Sequence, residues 1–227
     1  VDMKSLMTLR ACSRATMSAV AEVLRYNLRH MCQRILPDPD EFFEELLRCY
    51  AFIGGEVAVR WLLRDFTAPC EHLEVFVPAL QFANMGLQLT HFQRGDLMAV
   101  READEHEDGT MRPNAVERSA VFHTPTGVVT VHESTTDDPL APIACSQSSV
   151  EVTYVNPRYF GHGYPTLLFA LRGLLAGWFE GESEYVIHWA GRGMDLRLYA
   201  EGWQEYAGLQ CPAARWACPA QGRRFID

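Results

Sequence analysis

The sequence predicts an α/β fold: a small mixed sheet with helices, preceded by a helical N-terminal region. Three observations predict it. Apolar residues between 5 and 35 recur at helical spacing, a short apolar run at 50–53 ends in Gly54-Gly55, and a second apolar run at 73–77 carries a polar residue at alternate positions. The two short runs are strands, and the amphipathic stretch 57–64 between them is long enough for a helix.

In chain order, Leu6, Leu9 and Cys12, then Val20, Val23, Leu24, Leu28, Met31 and Ile35, mark two helices with a break within 13–18. Pro37-Asp38-Pro39-Asp40 stops them and caps a helix over 41–49, because an Asp side chain accepts from free backbone N–H groups. Phe42, Phe43, Leu46 and Leu47 form the buried side of that helix. Val57, Trp61 and Leu62 share one side of the helix over 57–64, and Thr67-Ala68-Pro69 turns the chain into the strand over 73–77. A helix is expected over 80–89, and the polar stretch 104–114 reads as a loop. Residues 120–123 and 128–132 form a hairpin around Pro125-Thr126-Gly127, and 150–155 is a further strand. Helices are expected over 167–178 and 194–206, before a Pro/Gly/Arg tail. The division expected is 1–36 helical, 37–207 the mixed domain and 208–227 the tail.

Composition narrows the function. At 227 residues, 48 % hydrophobic and 22 % charged, the chain has the make-up of an ordinary globular protein and enough length for a core without disulfide staples. A net charge of -9 argues against nucleic acid as main partner, since such binding leans on a Lys/Arg footprint. Seven cysteines without repeated spacing read as reduced thiols, giving an intracellular expectation, cytoplasmic or nuclear. No apolar run approaches the ~18–20 residues that a membrane span needs. The chain begins at Val1 rather than Met, which leaves room for an upstream segment.

His72 and Glu74 lie one residue apart on a strand and therefore share a face. Together with Gly54-Gly55-Glu56 they have the layout of a nucleotide-transfer site. A two-metal site wants hard oxygen ligands at both strand positions, and one of them here is an imidazole.

Phe52-Ile53-Gly54-Gly55-Glu56, the helix over 57–64, Pro69 and His72-Leu73-Glu74-Val75-Phe76-Val77 resemble nucleotidyltransferase-fold proteins of the DNA polymerase beta superfamily. The likeness is to a group abundant in mushroom-forming fungi. It extends through Val128 to Val131, Pro139-Leu140, Ser148-Ser149-Val150, Asn156 and Tyr199-Ala200-Glu201-Gly202-Trp203, and so covers about residues 37–203. Residues 6–12 are similar to the back half of an F-box, which implies a protein partner through the N-terminal helices. The resemblance implies a nucleotidyltransferase-like mixed sheet flanked by helices, with phosphate at Gly54, Gly55 and position 56 and two Mg²⁺ ions at positions 72 and 74.

The departures from that pattern decide the functional expectation. Glu56 replaces a small hydroxyl residue and would repel a triphosphate by an amount on the order of several kcal/mol in a partly desolvated pocket. His72 replaces the first metal-binding aspartate. The third carboxylate is missing, because the inward candidates on 128–132 are Thr130 and His132 while Glu133 alternates to the other face or begins the loop. The expectation is a pseudo-nucleotidyltransferase acting as a binding or interaction protein, with nucleotide binding opposed. One alternative is an active, Mg²⁺-dependent enzyme, with Glu74 on the metal helped by His72 or Glu56. A second is a mononuclear Zn or Fe site made by His72, Glu74 and His132, a ligand set known for such metals.

Other chemistry-bearing residues have plainer readings. His106 lies in an acidic loop, His162 in a Gly-rich turn, and Ser146, Ser148 and Ser149 lack a nucleophile-elbow context. Cys70 precedes Glu71-His72, where an imidazolium would activate its thiol, yet a passive half-buried cysteine accounts for it. The tryptophans are spaced as packing residues.

Overall fold

The computed structural model describes residues 1–102, 115–176 and 184–206. It is a mixed α/β protein, with helices packed on a seven-stranded mixed sheet. The N-terminal helices α1 (Met3–Arg10) and α2 (Arg14–Cys32) part where Ser13 and Thr16 form a reciprocal capping box. Asp38 caps α3 (Pro39–Arg48) by accepting from the Glu41 N–H at 3.1 Å, and Pro39 fills the first turn, where no N–H is needed.

Strand β1 (Phe52–Gly54) runs directly into α4 (Gly55–Leu63), so no loop separates strand from helix. Next come β2 (His72–Val77), α5 (Phe82–His91), β3 (Asp96–Glu102), β4 (Val116–His123) and β5 (Val128–Ser134). The short helix α6 (Ala141–Ala144), β6 (Thr153–Val155), β7 (Phe160–His162) and α7 (Pro165–Phe169) follow. β8 (Arg172–Leu174), α8 (Glu184–Gly191), β9 (Asp195–Arg197) and two 3₁₀ turns (Ala200–Gly202 and Gln204–Tyr206) complete the described chain.

The large sheet has the order β3-β4-β5-β2-β1-β6-β7. β1 is antiparallel to β2, and β2 is parallel to β5 with His72 beside Val128 and Glu74 beside Thr130. That register places His72, Glu74 and Phe76 on one face with Thr130 and His132. The opposite face, with Leu73, Val75, Val77, Val129 and Val131, is fully buried. One continuous core joins it to Leu28, Ile35, Phe42, Trp61, Met85 and Leu89, so the N-terminal helices pack into the same core as the sheet. Fully burying each such side chain contributes about 1.5–3 kcal/mol relative to leaving it in water. Among the described residues, no helix is long and apolar enough to cross a membrane, and the five described cysteines carry free thiols.

Two expected helices are corrected. The described part of the stretch 167–178, residues 167–176, gives α7 and then β8: Leu171 adopts φ 55°, which ends a right-handed helix, and Gly173 packs so closely on Val150 that a side chain would not fit. The stretch 194–206 begins as β9, parallel to β8, because Asp195 and Arg197 face the same side at strand spacing and pair at 2.9 Å. Trp203, 3 % exposed, donates its indole N–H to that same Asp195, which favours the short 3₁₀ turns over a continuous helix. Strand β3 and helix α8 were not expected. The polar stretch 104–114 with His106, Trp178, and the tail 208–227 lie outside the described residues.

Candidate functional site

Gly54 and Gly55 close the end of β1, and both are glycine for a packing reason. A Cβ on Gly54 would sit 2.5 Å from the Phe76 ring, and one on Gly55 would collide with the Glu74 carboxylate. Gly55 also has φ 57°, where a side chain is strained. The turn is therefore shaped to receive side chains of the neighbouring strand β2.

Glu56 stands in the first turn of α4, where the helix dipole favours a carboxylate. Its Oε1 lies 3.2 Å from Arg60 Nη1 and also pairs with Arg192 Nη2, and its Oε2 lies 3.3 Å from His188 Nε2. Arg60, only 1 % exposed, is held further by the Pro69 and Ala68 carbonyls, Cys70 Sγ and Asp65. Glu56 thus ties α4 to α8 and takes up the two guanidinium groups beside the turn.

His72, at the rim, shares a 2.8 Å hydrogen bond between Nε2 and Thr130 Oγ1. Burial lowers its pKa below the usual 6.5, with Glu56 pulling the other way. Burial pushes Glu74 up to about 7, reinforced by the Glu56 charge. His132 follows Thr130 inward, as the alternation predicts, but its ring stacks on Phe76 at 4.8 Å and its Nδ1 bonds Ser119 Oγ at 2.8 Å. Burial, then His72, holds His132 down to about 4. Of the second alternative's three ligands, His132 is thus turned toward Phe76 and Ser119. Among the described residues no three His, Cys, Asp or Glu side chains are arranged to hold a metal together.

Sequence reasoning missed five of the eight described residues that line the site. Glu151 and, from α8, Glu184, Tyr185, His188 and Trp189 join Glu56, His72 and Glu74 around a cleft of about 300 Å³. Glu151 is pushed up to about 8, first by burial and then by the Glu74 charge, against hydrogen bonds from Trp189 and Tyr185. The signal for Glu151 was present in Val150-Glu151-Val152: the valines are buried, and the glutamate between them turns the other way into the cleft. β6 begins only at Thr153, short of the strand expected over 150–155, so this apolar-polar-apolar pattern lies in the turn before the strand. Nothing comparable marked α8, whose apolar residues give it no clear polar face in sequence.

The remaining candidates are structural. Cys70 Sγ accepts from buried Arg60 at 3.1 Å, and burial raises the thiol above its ordinary pKa, so it is a poorly ionised thiol whose close cationic neighbour is arginine rather than His72. Ser148 Oγ accepts from the Val150 N–H and pairs with the Tyr185 hydroxyl, while Ser149 Oγ accepts from the Leu174 N–H. His162 Nδ1 accepts from the Tyr164 N–H, and burial holds that ring down to about 4. Trp61 fills the core and donates to the Leu24 carbonyl at 3.2 Å. Glu133 faces away from the cleft, as expected, paired with Arg118 at 2.6 Å.

Neither protein-family models nor curated proteins give a match to this chain.

Proposed function

We propose that the chain is a pseudo-nucleotidyltransferase: a nucleotidyltransferase-like frame whose cleft binds a ligand or partner and does not carry out two-metal phosphoryl transfer. The observation that carries this reading is Glu56 in the position where a phosphate would sit, paired with Arg60 and Arg192. A triphosphate entering there would have to displace a carboxylate from two cations, one of them buried. It would also meet Glu74 and Glu151 without a free Lys or Arg among the described lining residues.

One observation favours the active alternative. Glu151 brings a second carboxyl close enough to Glu74 for the two charges to feel each other. Against it, Arg60 and Arg192, the cations beside the turn, are already held by Glu56 and are not free to meet a phosphate. Mg²⁺ would have to be held by Glu74 and Glu151, with Gly54 and Gly55 at the phosphate.

Thermal melting distinguishes the two. No Mg²⁺-dependent change in Tm is expected with any of the four nucleoside triphosphates. An increase of several degrees that Glu74→Ala abolishes would establish the enzyme instead, because a ligand binding only the native state raises stability by about 2.7 kcal/mol at a hundredfold excess over Kd.

A further inference from the structure

We infer that the cleft between α4, β2 and α8 takes a small organic cation carrying ammonium groups. The inference rests on the binding reading above and names the ligand class. Of the described residues that line the cleft, four are glutamates (Glu56, Glu74, Glu151 and Glu184), two are histidines and two are aromatic, and none of these described residues is Lys or Arg. The two nearest guanidinium groups, Arg60 and Arg192, are already engaged by Glu56. Glu74 reaches into the cleft from β2, lies against Gly55, and has no hydrogen-bond partner among the described residues. This part-buried carboxyl is open to the cleft and available to accept from a ligand.

The geometry separates two kinds of cation. A metal needs several ligands converging on one point, and the described residues offer no group of three that does so. Ammonium groups need only separate N–H···O bonds, which reach carboxylates that stand apart. Tyr185, backed by the buried Trp189, adds aromatic surface, which attracts organic cations over hydrated ones. A cleft of about 300 Å³ matches a small molecule.

Protons supply an independent signature. Glu74 and Glu151 face each other's charge, with Glu56, Glu184, His72, His188 and Tyr185 around them and Arg60 and Arg192 behind Glu56. Because burial raises both carboxyls, a fraction of them is protonated at pH 7. A bound cation favours their ionised forms, so binding expels protons into the buffer.

The test is isothermal titration of 1,4-diaminobutane into the protein at pH 7 and low salt, in two buffers of different protonation enthalpy. Saturable binding with net proton release is expected. Glu74→Gln and Glu151→Gln, each checked for a native melting transition, are expected to weaken it by about tenfold or more and to reduce the protons released. A lysine-bearing tripeptide is titrated alongside: tighter binding of the tripeptide assigns the ammonium group to a protein side chain, and tighter binding of the diamine assigns it to a free amine. Absence of diamine binding up to about 10 mM, a range that covers even millimolar Kd, overturns the inference, as does binding that both Gln variants retain. Mg²⁺–ATP, run as a third arm, keeps the two failures apart. If neither it nor the diamine binds, only the ligand class is lost; if it binds, the reading beneath is lost.

Discussion

Arg60→Ala is expected to destabilise the protein by about 3–5 kcal/mol, the usual result of removing one partner from a buried ion pair. Arg60 is 1 % exposed, and its guanidinium holds Glu56 at 3.2 Å, the Pro69 carbonyl at 3.3 Å, Cys70 Sγ at 3.1 Å and the Ala68 carbonyl. Its loss strands acceptors on both sides of the segment that links α4 to β2. For a chain of this length each kcal/mol moves Tm by about 2–4 °C, so a fall of roughly 6–20 °C should appear in a melt followed by circular dichroism. Arg60→Lys should recover only part of the loss, because an ammonium cannot reproduce the planar fork. Arg192→Ala, at a side chain 27 % exposed, should cost about 1 kcal/mol or less. Equal effects at Arg60 and Arg192 would show that burial is not what makes the first one matter.

The second large effect is a stability maximum near pH 6 with losses on both sides. On the alkaline side, Glu74 and Glu151 are raised to about 7 and about 8 from an ordinary 4.5. The folded chain then holds up to two protons that the unfolded chain has released. Stability therefore falls as pH rises from about 6.5 to 8, by up to about 1.4 kcal/mol per pH unit for each proton. On the acid side, His132 and His162 are depressed to about 4 and His72 is lowered, all from 6.5. Below 6.5 the unfolded chain takes up protons that these rings refuse in the fold, so stability falls as pH drops toward 4. The carboxyls partly offset that loss between 4.5 and 6.5, which makes the acid limb the shallower one. Glu151→Gln keeps an acceptor for Trp189 and Tyr185 but removes one titration. Its alkaline limb should flatten, and it should gain roughly 1–3 kcal/mol over wild type between pH 6 and 8. Urea melts across that range measure this directly; parallel profiles for the two proteins would mean that Glu151 is not raised.

The strands and glycines of the site were legible in the sequence, and their chemistry was legible only in part. Periodicity placed α2, β2 and the β4–β5 hairpin close to where they lie, because each has a continuous apolar face to bury. It failed at 167–178 and 194–206, where a positive φ at Leu171 and a β8–β9 pairing across the chain override helical composition. Such pairing is a tertiary fact with no local signature. The alternation rule found His72 and Glu74 and the inward turn of Thr130 and His132. It could not show that His132 would stack on Phe76 rather than reach Glu74. Glu56 was read as a repulsive charge. Its neutralisation by Arg60 was four residues away on the same helix and open to inspection, whereas Arg192 comes from an element 136 positions later and was not.

On the reading proposed above, Glu56, locked to Arg60 and Arg192 beside the glycine turn, leaves no seat for a metal-bound triphosphate. The most direct measurement is a crystal structure of the protein soaked with ATP and MgCl₂. Glu56 still bonded to both arginines, with no ordered phosphate between Gly55 and Glu74, is the result expected. Two Mg²⁺ ions bridging a triphosphate to Glu74 and Glu151, with Glu56 swung away, would contradict it.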